Sequence, residues 1–118
     1  MEIIDFPGQP AIGFVADSKI KVEDIDTLAK IVEEKIQKFD RIGVYVEMED
    51  FKGITLEALV EDVKKFFPKL SYFKKKAVVC PDSILVRIGE KLGSLFPGIE
   101  VRHFQPGEEA AAKKWVVD

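Results

Sequence analysis

The sequence has few of the residues on which metal and catalytic sites are most often built. It contains one cysteine, Cys80, and one histidine, His103; asparagine is absent, and serine and threonine together number six in 118 residues. A single cysteine cannot form an internal disulfide, and this pair cannot supply the sulfur and nitrogen ligands of a structural zinc site. We therefore expect a reducing, cytoplasmic compartment.

Long hydrophobic runs are also missing. No apolar run approaches the roughly 20 residues needed to cross a bilayer. Residues 1–6 show neither the basic start nor the long apolar stretch of a secretory signal. Apolar residues make up 47% of the chain and charged residues 33%, which is typical of a globular protein. We expect one domain over residues 1–118.

Charge is unevenly distributed along the chain. The net charge is −3, but residues 1–63 hold 15 acids and 7 bases, whereas residues 64–118 hold 6 acids and 11 bases. An acidic chain argues against general nucleic-acid binding, which depends on neutralising phosphates with lysine and arginine. A local basic face in the second half is still compatible with an anionic partner.

Motifs of the common catalytic classes are absent. The glycines do not form a G-x-G-x-x-G or G-x-x-x-x-G-K phosphate loop, and there is no G-x-S-x-G nucleophile motif. Cys80 and His103 would form a nucleophile and base if their predicted strands were neighbours. A lone cysteine is more often a buried apolar residue, so we favour a protein that is not an enzyme.

Acidic side chains gather near the end of the central predicted strand. Glu47, Glu49 and Asp50, together with Asp82 and His103, offer ligands to a hard cation. Their spacing does not resemble a calcium loop, and acids before a helix also interact favourably with its N-terminus. We favour the second interpretation and predict neither a bound metal nor a cofactor.

Hydrophobic periodicity predicts strands and helices in alternation. The turn at residues 7–10, rich in proline and glycine, predicts an initial β-hairpin. Thr55 is the expected N-cap of the second helix, and Pro68 is expected to end it. The predicted strands cover residues 3–6, 12–15, 41–48, 77–80 and 99–104, and the predicted helices cover residues 25–36, 56–67, 85–95 and the chain from about 108.

The order β-β-α-β-α-β-α-β-α predicts an α/β fold with a mixed, mostly parallel sheet. The second helix repeats apolar side chains at i, i+3, i+4, i+7 and i+11, which is typical of one face packed on a core. Those side chains belong to Leu56, Leu59, Val60, Val63 and Phe67.

The least ordinary stretch is residues 64–76, which we call the basic-aromatic segment. It carries six lysines, four aromatic residues and no acid. Such a mixture suits a membrane interface, where rings insert and ammonium groups meet anionic headgroups. Two alternatives remain: stacking on single-stranded nucleic acid, which the acidic first half disfavours, and a plain connection with Phe67, Leu70 and Phe73 in the core.

Several short stretches of the chain resemble SpoIIAA-like proteins, a group of small STAS/SEC14-type domains. The resemblance runs over essentially the whole chain and is carried by hydrophobic motifs. They are residues 13–20, Glu23-Asp24, Asp50-Phe51-Lys52-Gly53, residues 73–79 and residues 100–104.

The resemblance implies a four- to five-stranded mixed sheet with helices packed mainly on one face. It also implies a regulatory or ligand-binding role without catalysis, either binding of a non-polar small molecule or lipid or peripheral contact with a membrane. We expect a non-polar pocket under the second helix and the loop that follows it. The predicted pocket residues are Phe51, Ile54 and Leu59, with Phe66, Tyr72 and Phe73 at its mouth; the predicted membrane-facing residues are Lys64, Lys65, Lys69 and Lys74.

The competing interpretation is a STAS-type regulator that docks on a protein partner, or on a second copy, through residues 49–55 and the second helix. Related anti-sigma-factor antagonists carry a phosphorylatable serine in the matching loop. Here Phe51 and Lys52 occupy that loop, and Thr55 is the nearest hydroxyl. A phosphoserine switch is therefore not expected.

Overall fold

The computed structural model describes residues 1–48, 55–84 and 98–118, except for the side chains of Leu59 and Val63. It has an α/β fold, and residues 82–84 are helical; the predicted helix at residues 85–95 lies outside the described residues. The elements are β1 Glu2–Ile4, β2 Ala11–Val15, α1 Val22–Lys38, β3 Ile42–Glu47, α2 Leu56–Phe66, a 3₁₀ helix Phe67–Tyr72, β4 Phe73–Val79, β5 Glu100–Phe104 and α3 Glu109–Val117.

The five described strands form one sheet in the order β1-β2-β3-β4-β5. β1 is antiparallel to β2, and the other three pairings are parallel. The predicted hairpin is confirmed: Gln9 N–H donates to the Phe6 carbonyl at 3.1 Å, and Gly8 has a φ of 69°. The mostly parallel sheet that the element order predicted is thus present.

Helices cover both faces of the sheet, with α1 and α2 together on one side. Ile25, Leu28 and Val32 of α1 are buried, as the spacing predicted. Ile25 packs in one cluster with Val46 of the central strand β3, and Val32 packs in another with Ile42 of the same strand. Right-handed crossovers between parallel strands place successive helices on the same side. No helix in the described ranges is long and apolar enough to span a membrane.

The C-terminal helix α3 covers the opposite face. Ala112 and Val116 of α3 are fully buried in a cluster that includes Tyr45 of β3. The Lys75 ammonium lies 4.9 Å from the centre of the Trp115 ring and donates to the Trp115 carbonyl at 3.2 Å. Lys75 therefore fastens α3 to β4, away from the face that carries α2.

Candidate functional site

Two short contacts fix where α2 begins. The Ala58 N–H donates to the Thr55 hydroxyl at 3.1 Å, so Thr55 caps the helix as predicted. The Thr55 N–H donates to the Ile20 carbonyl at 3.0 Å, which ties this end of α2 to the chain just before α1. Ala58 is fully buried. The start of α2 is therefore held with a fixed side towards the core.

The outer side of α2 is apolar as well. Leu56 is 73% exposed and Val60 is 44% exposed, although both were predicted to belong to the inward face. They line an open surface groove with Val22 of α1, and Glu57 and Glu61 form its acidic rim. Because Leu56 and Val60 are four residues apart, they share one side of the helix. The prediction of a single apolar face was wrong for these two residues.

The 3₁₀ helix continues the exposed apolar surface beyond the end of α2. Pro68 lies in its first turn, where a missing backbone N–H is tolerated, and the α-helix ends at Phe66 as expected. Phe67 is 67% exposed and Tyr72 is 39% exposed. The interpretation that placed Phe67 in the core is therefore wrong, and two aromatic rings of the basic-aromatic segment face solvent.

The other two aromatic residues of this segment pack inward. Phe73, the first residue of β4, is only 6% exposed. The Phe66 ring meets it edge to face, with the ring centres 6.4 Å apart. Both belong to the core between the sheet and the α1–α2 layer. Phe73 is thus a core residue and not an open pocket mouth, and Phe66 supports it.

The lysines of the segment divide between two roles. Lys65 pairs with Asp26 of α1 at 3.6 Å, and Lys69 pairs with Glu33 of α1. Their charges are thus partly neutralised by acids that the sequence places in its negative half. Lys64 is exposed and Lys74 is half-buried. Neither Lys64 nor Lys74 forms an ion pair with any described residue, so these two keep charge available for a partner.

Lys76 lies beneath α2 and not at the surface of the segment. In the sheet it stands opposite Val44 of β3 and Val101 of β5, and the residue is half-buried. Burial lowers the pKa of Lys76, and the negative charge of Asp62 on α2 opposes that change. Burial likewise raises the pKa of Asp62. Asp62 and Lys76 therefore influence each other electrostatically between α2 and the sheet.

Three predicted pocket residues fall outside what the structure describes. Phe51 and Ile54 precede the described start of α2, and the side chain of Leu59 is not described. Their assignment to a non-polar pocket stays a prediction. The groove that is described lies on the outer side of α2 instead of beneath it.

Cys80 and His103 are neighbours, but they are not arranged as a nucleophile and base. His103 Nε2 donates to the backbone carbonyl of Cys80 at 2.8 Å, and the thiol is buried. Burial, helped by the charge of Asp82, raises the pKa of Cys80. A raised pKa reduces the thiolate fraction at neutral pH. This arrangement is that of a packed cysteine whose carbonyl orients a histidine.

The acids proposed as cation ligands have other partners. Glu47 accepts a hydrogen bond from the Tyr45 hydroxyl at 2.6 Å, and Asp82 accepts one from the Gln105 side-chain amide at 2.7 Å. Among the described residues, no three histidine, cysteine or acidic side chains are grouped so that they could hold a metal ion. Glu49 and Asp50 lie outside those residues.

Sequence reasoning missed the groove residues because the periodic pattern was assigned to one face. Ala58 and Phe66 already give α2 an apolar side that packs on the core. Leu56 and Val60 therefore add apolar surface that this packing does not require. A helix that is apolar on two sides is normally buried on both. That excess was the signal available in the sequence.

Comparison with known proteins places this architecture in a family. The SpoIIAA-like family model matches residues 11–117. Among solved structures, the chain is similar to an uncharacterized protein with a SpoIIAA-like fold from Shewanella loihica PV-4, with a TM-score of 0.71 and 18% identity over 97% of this chain and 90% of that one. No curated protein sequence matches. The match covers nearly all of the sheet and its helices, and this chain belongs to the SpoIIAA-like family.

Proposed function

We propose that the protein is a non-catalytic binding module that associates reversibly with anionic lipid surfaces through the end of α2 and the 3₁₀ helix. The observation that carries this proposal is the exposure of Phe67 and Tyr72 in a segment whose Lys64 and Lys74 form no ion pair with a described residue. Rings that insert at a headgroup boundary and lysines that meet anionic headgroups form the usual peripheral membrane contact.

Rough magnitudes support a weak and salt-sensitive association. Full burial of a phenylalanine side chain stabilises a complex by about 1.5–3 kcal/mol. Each lysine near an anionic surface adds about 1 kcal/mol; within the basic-aromatic segment, Lys64 and Lys74 form no ion pair with a described residue. Glu57 and Glu61 would be repelled by the same headgroups. The contact is therefore expected at the C-terminal end of α2 and not along its whole length.

Co-sedimentation of the protein with vesicles tests this proposal. We expect binding to vesicles containing phosphatidylserine at low salt and little binding to pure phosphatidylcholine. Phe67→Ser should weaken binding by tenfold or more, because the inserting ring is lost. The double variant Lys64→Gln/Lys74→Gln should do the same, because about 2 kcal/mol of attraction is removed.

The matched control removes two lysines elsewhere on the surface. Lys38 and Lys114 are exposed, at the end of α1 and on α3. The variant Lys38→Gln/Lys114→Gln has the same net charge as the test variant and should bind nearly as well as the unmodified chain. Wild-type protein that stays in the supernatant with anionic vesicles at low salt would refute the proposal, as would binding that high salt leaves unchanged.

The predicted ligand of the non-polar pocket belongs to the same proposal, as a single lipid or another apolar molecule held by Phe51, Ile54 and Leu59. Mass spectrometry of organic extracts from the purified protein tests it. A lipid or apolar molecule recovered in stoichiometric amount is the expected result. An extract without any such compound would leave the surface contact as the sole mode of lipid binding.

A second candidate function is docking on a protein partner. The groove formed by Val22, Leu56 and Val60 favours it, because its rim carries Glu57 and Glu61 and would be repelled by anionic lipid. Apolar anchors within a charged rim are typical of protein interfaces. Leu56→Asp should abolish such docking while leaving the vesicle binding of Phe67 and Lys64 intact.

A further inference from the structure

The outer side of α2 carries its charges in a definite order. Glu57 lies in its first turn, Glu61 lies at its middle, and Lys64 lies in its last turn. The apolar side chains Leu56 and Val60 run between these charges, and Phe67 extends the surface past the helix end. No ion pair joins Glu57, Glu61 or Lys64 to another described side chain, so contacts among the described residues do not explain the order.

We infer that this surface binds a second copy of the chain, with the two α2 helices antiparallel about a two-fold axis near Val60. This inference rests on the second candidate function and names its partner. In that arrangement Glu57 faces the partner's Lys64, and Lys64 faces the partner's Glu57. A parallel arrangement would place acid against acid, and like charges at that distance repel.

The apolar residues fit the same arrangement. A helix rises about 1.5 Å per residue, so an axis near Val60 brings Val60 against its own counterpart. Leu56 then lies between the partner's Lys64 stem and the partner's Phe67. The contact is self-complementary and closes on two copies, as an isologous interface must.

The acidic pair gives an independent reason for a basic partner. Glu57 and Glu61 are four residues apart on one helix, and like charges at that spacing repel each other. Glu61 lies near the axis, but the partner's Lys64 lies near Glu57 and offsets part of this repulsion at each end of the interface. An anionic membrane does not, so lipid cannot cover the first half of α2.

The interface is small, and the dimer is therefore weak. α2 has 11 residues, and an interface built on one such helix buries less than the roughly 1,200–2,000 Å² typical of stable complexes. We expect a concentration-dependent equilibrium between monomer and dimer. The dimer covers Phe67 and Lys64, so it and the lipid-bound form exclude one another.

Sedimentation velocity of the purified full chain, from micromolar to near-millimolar concentration at low salt, tests the inference without lipid or lysate. The expected result is a shift from monomer to dimer. Glu57→Lys and Lys64→Glu should each weaken the dimer by tenfold or more, because each puts like charges face to face twice. The double variant Glu57→Lys/Lys64→Glu should restore it.

The control is Glu34→Lys, which makes the same charge change at an exposed position of α1. It should dimerise like the wild-type protein. Monomer at every concentration, or a double variant no better than the single ones, would overturn the inference. The first outcome would assign the groove to a different protein. Vesicle binding is measured separately, so its failure is distinguishable from the failure of self-association.

Discussion

Gly43 determines how closely α3 approaches the sheet. A Cβ atom at this position would lie 2.3 Å from the Val116 carbonyl oxygen, which is a backbone atom that cannot move without the helix. Gly43→Ala should therefore destabilise the protein by about 3 kcal/mol, since overpacking against backbone is among the more costly core changes. Chemical denaturation followed by circular dichroism measures it.

Gly8 provides a contrasting control. It has a φ of 69°, and nothing lies within 4 Å of an added Cβ. Gly8→Ala should cost only about 1–2 kcal/mol, the usual penalty for a side chain in left-handed backbone. Equal costs at Gly43 and Gly8 would contradict the close approach of α3.

Cys80 provides a test of the non-catalytic interpretation. Burial raises its pKa, so less thiolate is present at neutral pH than in a free cysteine, and alkylation should be slow. We expect iodoacetamide to react with the folded protein at least tenfold more slowly than with the unfolded chain. A fast reaction of the folded protein that is lost in His103→Ala would revive the nucleophile–base pair.

At the scale of elements, Asp62 of α2 and Lys76 of β4 carry opposite charges at the contact between the two elements. Burial disfavours the ionised form of each. The pKa of Asp62 is raised and that of Lys76 is lowered, each mainly by burial. Replacing both members of such a pair by neutral side chains is often neutral or stabilising, whereas removing one leaves an uncompensated charge. Lys76→Met should lower the free energy of unfolding by about 2 kcal/mol. The double variant Asp62→Asn/Lys76→Met should be as stable as the wild-type protein to within about 1 kcal/mol.

The cost of Lys76→Met should depend on pH with a definite sign. An acid whose pKa is raised in the folded state favours folding when protonated, so the penalty is present at neutral pH and shrinks as the pH falls through the folded pKa of Asp62. Urea denaturation at pH 7 and pH 4.5 measures it. A penalty that is equal at both values, or that persists in the double variant, would contradict the pairing.

Elements differ in how well the sequence predicts them. The buried face of α1 was predicted correctly, because acids and lysines occupy the other sides of this helix and leave only one apolar side to bury. α2 was only half right, because Leu56 and Val60 fit the same period as its inward residues and periodicity does not tell which side meets the sheet. The pairing of Lys65 with Asp26 depends on how two helices are juxtaposed, which no local pattern encodes.

At the scale of the whole molecule, the division into an acidic and a basic half acquires a structural meaning. Acids of α1 pair with Lys65 and Lys69, and Lys75 bonds the Trp115 carbonyl of α3. Lys76 is half-buried, and the charge of Asp62 acts on it. Most of the positive excess is thus used within the fold. In the basic-aromatic segment, Lys64 and Lys74 and the exposed rings of Phe67 and Tyr72 are the groups that remain to bind an anionic surface.

The central claim, that Phe67 inserts at an anionic membrane surface, is tested most directly by fluorescence quenching with brominated lipids. The wild-type protein has one tryptophan, Trp115, on the α3 side of the sheet. It is the internal control, because that side should stay in water. Phe67→Trp adds a second indole at the proposed contact and conserves its aromatic character.

We predict that brominated anionic vesicles at low salt quench the emission of Phe67→Trp and leave that of the wild-type protein unchanged. Brominated phosphatidylcholine vesicles, or high salt, should remove the difference. Unquenched emission from Phe67→Trp under conditions that sediment the protein with vesicles would show that another surface binds lipid, and would contradict the account.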